Sequence, residues 1–457
     1  MTELSAAHRQ ALARILDACD DAALGRLERA VGALPGARAA GFAAMIRDEG
    51  RDRRRRRLAL APILPLFRPR RDGVPGLGFP PALLGPIWRA AAAAEQPDLL
   101  ARLDDEDDDL PALGDRLCLL AAGAIRRGGG GIAEAAAGGD LEELARCFDL
   151  APTVRRGLSS LAAWTDRPDG EQAAELRVMV RDAAEQSPDG AIRLIEIFFA
   201  HLDDAARILR ILVQTSGAAG REAFLSESEM GVFVERLVDA MEARAARLSA
   251  FQPSDGAEAL AAVSADLAWC AGVLGEIDLT LQIRPDSRWG RRIRALRDSV
   301  AARLERRLNE AERAVDEVLP MERIQTIGRM TRELPAFDAP EDRAAVDRAR
   351  ILMSLVAAIR RPAAVFACEA ARTRLLAALD ERLMTYADSA LELINAGLAP
   401  DEDRALTRVE LAADFLARIE RADAARAVRR RVAAAGACQP HPLPHPQPLA
   451  ATASSAA

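Results

Sequence analysis

Leu260-Ala-Ala-Val263-Ser-Ala-Asp-Leu267-Ala-Trp-Cys270-Ala-Gly-Val-Leu274-Gly-Glu-Ile277-Asp-Leu-Thr-Leu281 places an apolar residue at alternating steps of three and four. That spacing follows one face of an α-helix and makes a lengthwise seam against a neighbouring helix. Pro253-Ser-Asp255 precedes the stretch as a start signal. The same rhythm recurs on both sides of it. Upstream it runs through Ile192, Ile195, Phe199, Leu202, Ala206, Leu209 and Val213, behind Ser187-Pro-Asp189, which reads as an N-cap with proline at the first helical position. Ser226-Glu-Ser-Glu229 matches a capping box for a further helix reaching about Phe251.

Downstream, Pro285-Asp-Ser287 opens a long helix with Ile293, Leu296, Val300, Leu304, Leu308, Ala311, Val315 and Val318 on one side. Leu376, Leu379, Leu383, Tyr386, Ala390 and Leu393 repeat the seam before Gly397, and a last helix is expected from about Pro400 to Ala435. Helices of 25 to 30 residues are roughly 40–45 Å long at ~1.5 Å per residue. Short connections make neighbours antiparallel. Residues 171–436 therefore read as an elongated antiparallel bundle with the seams as core. An exposed seam would instead act as a coiled-coil face and give a homo-oligomer. No fixed repeat supports a superhelical stack.

Composition agrees with an all-α chain. Half of the 457 residues are apolar and 29% are charged, yet only 4% are aromatic and Tyr386 is the single tyrosine. Ala and Leu suit close helix packing, whereas sheets favour β-branched and aromatic residues. There is no lysine, so all 62 basic residues are arginine, and asparagine occurs only at 309 and 395. Schiff-base lysine chemistry and a phosphate-loop lysine are thereby excluded.

Residues 1–170 are less regular and form a separate N-terminal helical domain. A first helix is expected from Ser5 to about Leu34 and a second to Arg57; seven prolines between 62 and 86 then forbid a continuous helix. Trp88 opens a short helix and anchors the proline-rich loop. An acidic run, Asp104 to Asp109, precedes a helix over 113–127, and a turn falls at Arg167-Pro-Asp-Gly170. The tail 437–457, with its alternating His and Pro, reads as disordered.

The strongest local signal is basic. Arg51-Asp-Arg53-Arg54-Arg55-Arg56-Arg57 is followed by the apolar Leu58–Phe67 and then by Arg68, Arg70 and Arg71. This segment carries net +8 in a chain of net −7, so the remainder carries −15. Three readings follow from it. Arg53, Arg54, Arg55, Arg56, Arg57, Arg68, Arg70 and Arg71 could hold an anionic partner, with a membrane surface as one such partner if the apolar centre inserts shallowly. Nucleic acid fits less well, because the whole chain is acidic and Phe67 is the lone stacking residue. Alternatively, the acidic run 104–109 folds back on the arginines and the apolar stretch covers a core edge.

Catalytic signals are sparse. Asp104-Asp105-x-x-Asp108 has the form of a Mg²⁺–diphosphate motif, but six consecutive acids meet that form trivially. His8 and His201 stand apart from cysteines and carboxylate constellations, and His441 and His445 lie in the tail. The six cysteines are widely spaced, which suits neither a disulfide scaffold nor a zinc site. Neither cofactor nor metal is expected. Met1-Thr-Glu lacks a signal peptide's basic start, and no run of about 18 uncharged apolar residues occurs, so no membrane-spanning helix is expected. The sequence reads as a cytoplasmic, non-catalytic scaffold or adaptor that binds another protein through helical surfaces. Two other readings stand beside it: a peripheral tether at the inner membrane surface docking through 51–71, and a Mg²⁺-dependent helical enzyme using the acidic run 104–109.

Overall fold

The computed structural model describes residues 6–104, 110–129, 131–136, 138–166, 169–216, 222–325 and 331–437. The chain is all-α, as expected. In order, the helices of the N-terminal part are α1 (Ala6–Ala18), α2 (Asp21–Gly32), α3 (Ala37–Ala59), α4 (Leu84–Ala93), α5 (Pro97–Ala101), α6 (Leu110–Arg127), α7 (Ile132–Ala135) and α8 (Leu141–Asp149). They continue as α9 (Ala151–Leu158), α10 (Leu161–Trp164), α11 (Gly170–Gln186), α12 (Gly190–His201), α13 (Ile208–Ser216), α14 (Glu222–Ser226) and α15 (Gly231–Ala250). Then follow α16 (Gly256–Thr280), α17 (Arg288–Val318), α18 (Arg343–Ala358), α19 (Pro362–Val365), α20 (Glu369–Asn395), α21 (Glu402–Arg418) and α22 (Ala422–Ala437).

The chain divides into two compact units. The first comprises residues 1–240 and 276–290, the second residues 241–275 and 291–457. The expected domain boundary at 170 falls inside the first unit, where α11 packs on α9, α10, α12 and α13. In the second unit α20, α21 and α22 pack on one another, with α18 against α21.

The seams are core. Leu260, Val263, Leu267, Cys270, Leu274, Ile277 and Leu281 are all buried, as are Ile293, Leu296, Val300, Leu304, Leu308, Ala311 and Val315 of α17. Ser287 caps α17, its Oγ accepting the Gly290 N–H at 2.9 Å. In α20 the buried face runs through Leu375, Leu379, Leu383, Tyr386, Ala390 and Ile394, so Leu376 and Leu393 sit at its margin.

Several expected helices are interrupted. The first breaks at Cys19-Asp20, where Asp20 accepts the Ala23 N–H at 2.5 Å and starts α2. The 192–213 seam breaks after His201. Leu202 is extended, Asp204 caps a short 3-10 turn, and Asp72 Oδ2 accepts the Ala205 N–H at 3.0 Å. Leu202, Ala206 and Leu209 stay buried across the break, which is why periodicity alone did not reveal it. The last helix breaks at Glu420, whose φ is 67°, with the Arg421 N–H donated to Leu416 O in a Schellman-like end.

Two cap assignments are also corrected. Ser187 ends α11, and α12 begins at Gly190 behind Asp189, whose side chain makes no capping bond. Ser226 and Ser228 turn their hydroxyls back onto Ala223 O and Leu225 O instead of capping α15. Unforeseen was a hairpin of β1 (Met321–Gln325) and β2 (Thr331–Pro335), the sole strands among the described residues. Arg323 stands directly opposite Glu333 in its register and bonds it at 2.8 Å.

The stretch Pro253–Thr280 corrects the membrane expectation. Its best 18-residue window has mean hydropathy 1.5 and at most two charges, so by length and composition it is long and apolar enough to cross a membrane. Asp266 meets Arg247 at 2.7 Å and Arg244 at 3.4 Å, and the Arg244 guanidinium lies 3.5 Å from the centre of the Trp269 ring. The Ser5 start, residues 167–168 of the expected turn, residues 105–109 and the tail from Cys438 lie outside the described residues.

Candidate functional site

Successive residues on an α-helix are about 100° apart, so five consecutive arginines on α3 point all round its axis and share no face. The structure sorts them accordingly. Arg53 turns inward and is only 6% exposed. It donates Nε to Glu49 (2.6 Å), Nη1 to Asp21 (2.9 Å) and Nη2 to Leu16 O (2.7 Å). Arg55 grips Asp104 with two bonds of 3.0 and 2.5 Å, and Arg51 lies 4.0 Å from the same carboxylate. Arg57 bonds Asp21, and Arg56 is half-buried. Arg54 is exposed and forms no ion pair among the described residues. Hydrogen bonds from Arg53 and Arg55 hold the Asp21 and Asp104 carboxyls below the usual carboxylate range.

The apolar centre is interior. Leu60, Ile63, Leu66 and Phe67 are at most 1% exposed, while Leu58 alone stands half out. Beyond it, Arg70 doubly bonds Asp72, donates to Phe199 O and stacks 4.1 Å from the Phe199 ring centre. Arg68 and Arg71 are exposed without ion pairs among the described residues. Trp88 lies within α4 and does not open it; its Nε1 donates to Asp52 of α3 at 2.7 Å, tying together the helices on either side of the proline-rich loop. Of the eight predicted anion-binding arginines, Arg53, Arg55, Arg57 and Arg70 thus hold the chain's own groups. Arg56 is half-buried and not free, and Arg54, Arg68 and Arg71 remain open.

A groove of about 400 Å³ lies between α2 and α3. Gly25 of α2 and Gly50 of α3 form its low walls: a Cβ on Gly25 would meet nothing within 4 Å, and one on Gly50 only Leu24 at 3.9 Å. Arg47, Arg51 and Arg54 rim it. Arg47 and Arg54, seven residues apart, are separated by roughly 10 Å along the helix. Arg47 is exposed and unpaired among the described residues, and Arg51 reaches Asp48 only at 3.7 Å. Glu28 is the uncommitted acid beside them, because Asp21 is taken by Arg53 and Arg57. Sequence reasoning missed Arg47, which lies outside the conspicuous run. Its spacing of four from Arg51 and seven from Arg54 was the available signal.

His201 sits beside this region as a half-buried residue whose Nε2 lies 2.8 Å from Pro62 O. Burial lowers its pKa from 6.5, partly opposed by the bond to Pro62. The folded state therefore binds the proton less readily than the unfolded chain, and stability present above pH 6.5 is lost as pH falls below it. Urea unfolding of the wild type between pH 7.5 and 5.5 is expected to show that loss, and His201→Gln to flatten it. The stabilisation from the Asp21 and Asp104 carboxylates is present throughout this range and is lost only as pH falls below the ordinary 3.8.

Asp104, the first residue of the formal metal motif, is engaged by Arg55, and no group of three or more His, Cys, Asp or Glu residues suited to a metal occurs among the described residues. No family model matches the chain, and neither a curated protein nor a solved structure is similar to it. The fold and the groove define an all-α protein with an arginine-rimmed surface cleft.

Proposed function

We propose that the chain is a non-catalytic helical adaptor that binds a protein partner, and that the partner presents an acidic segment to the groove between α2 and α3. The observation carrying this is the division of the arginine run. Most of its cations hold internal carboxylates, whereas Arg47 and Arg54 stand open along one groove, with Arg51 weakly committed between them. An extended acidic peptide can place alternate carboxylates against cations at such a spacing. The membrane-tether reading is weaker, because the apolar residues it would insert are core. Five described cysteines are free thiols, which suits the reducing cytoplasm we assign to it.

The test is titration of a fluorescent glutamate-rich peptide, with phosphatidylserine vesicles, neutral vesicles and single-stranded DNA in parallel, at low and moderate salt. Salt-sensitive peptide binding is expected, reduced about tenfold in Arg47→Glu/Arg54→Glu with an unchanged melting curve. Equal binding by the variant would overturn the groove. Binding to vesicles alone would move the function to the membrane.

A further inference from the structure

The second unit contains a larger cavity, of about 910 Å³, between the end of α17, the start of α18, α21 and Arg429 of α22. It is independent of the arginine groove and of the adaptor reading. Its walls are partly apolar, from Val318, Pro320, Pro340, Val346 and Leu411. At this size it falls within the range of small-molecule sites, roughly 300–1,000 Å³, where a few polar groups orient an otherwise apolar ligand.

The charges lining it do not cancel. Most of the carboxylates are already engaged: Asp414 by Arg350 and Arg418 (3.2 Å each), Asp316 by Arg382 (3.1 Å), Glu317 by Arg348, and Glu341 by Arg404 at 3.9 Å. Asp342 caps α18, accepting the Ala344 N–H at 2.9 Å. Glu410 and Asp342 are the lining acids without an ion pair among the described residues.

Three cations without a carboxylate partner among the described residues line the cavity with these two acids. Arg343 and Arg429 are exposed and have no ion pair among the described residues. Arg408 is only 4% exposed, and its guanidinium donates to two backbone carbonyls, Ala336 O and Ala339 O. No carboxylate pairs with it among the described residues. A buried guanidinium satisfied by carbonyls has its hydrogen bonds but retains its charge, which is costly in a low-dielectric site unless an anion approaches. Arg343 also occupies the first turn of the 16-residue α18, where the helix dipole favours negative charge and Asp342 already takes the Ala344 N–H.

We propose that this cavity binds an amphipathic small molecule bearing one anionic head group, a carboxylate, sulfonate or phosphate, with its apolar body against Val318, Val346 and Leu411. The head group sits with Arg343, Arg408 and Arg429, and Glu410 disfavours a second negative charge.

The test uses anilinonaphthalene sulfonate, an amphipathic monoanion whose fluorescence rises in apolar sites, beside the uncharged phenylnaphthylamine. The full chain and the variant Arg343→Glu/Arg429→Glu are titrated, both substituted residues being exposed so that folding is preserved. Saturable sulfonate binding that weakens about tenfold in the variant is expected, with phenylnaphthylamine unaffected. A second variant, Leu411→Trp, fills the cavity and is expected to weaken both probes. Sulfonate binding unchanged by the arginine reversal would overturn the proposal, as would no saturable binding at all. Equal weakening of the charged and uncharged probes by the arginine reversal would also overturn it, showing an altered cavity without an anion site. None of these outcomes bears on the groove of the first unit.

Discussion

Replacing Arg53 with methionine is expected to destabilise the first unit by about 3 kcal/mol, the low end for breaking a buried charge pair. Arg53 is the point at which α1, α2 and α3 are tied: it bonds a carbonyl at the end of α1, the Asp21 side chain at the start of α2, and Glu49 one turn back on its own helix. Methionine fills the stem volume but leaves Leu16 O and Glu49 without their donor. Asp21 regains solvent because its side chain is 60% exposed, which keeps the cost from the upper end of the range. The small core of Leu16, Leu24, Val31, Ala43 and Ile46 depends on this tie, so hydrogen exchange should accelerate in α1 and α2 first. Arg54→Glu, one residue on, is expected to change stability by under about 0.5 kcal/mol, as for other exposed sites. Similar melting curves for the two variants would refute the division of the arginine run into strut and open cation.

An alanine at Gly190 is expected to cost about 3 kcal/mol or more. A Cβ at this position would lie 1.9 Å from the Ala183 carbonyl oxygen and 3.1 Å from Ser187 Oγ. Overpacking against a flexible side chain costs about 1–3 kcal/mol, but here the obstacle is the backbone of α11, which moves only if the α11–α12 corner opens. That corner is held by Arg193, 2% exposed, which doubly bonds Glu143 at 2.7 Å and also donates to Ser187 Oγ and Pro188 O. The substitution therefore strains one of the most heavily bonded arginines in the first unit. Denaturant unfolding measures the cost, and a change below about 1 kcal/mol would mean that the corner yields more easily than its bonding implies.

Helix identity was largely legible because apolar period and composition act locally. The seams of α16 and α17 were read residue by residue and are buried as expected, save Val318, which is half-buried at the cavity wall. Helix ends were legible where a side chain caps locally, as Ser287 does, or where a glycine takes positive φ, as Gly397 does after α20. At Leu202 and Glu420 the chain breaks without disturbing the apolar rhythm, and at Ser226 the hydroxyl chooses a preceding carbonyl over a following amide. The hairpin was invisible because its strands are short and half charged, and the pairing of Arg323 with Glu333 exists only once the strands meet.

The candidate site was half legible. Density of charge marked residues 51–71, but density does not say which guanidinium turns inward. That depends on the 100° step of the helix and on what α1, α2 and Asp104 bring to each side. The cavity of the second unit had no signal at all, since its lining comes from four helices and two loops spread over more than a hundred residues. Sequence by itself determined the all-α class, the core seams and the location of surplus positive charge, because each depends on the identity and spacing of near neighbours. Tertiary structure decided which arginines are struts and which are open, and where cavities form, because burial and ion pairing arise from groups far apart in the chain that meet only on folding.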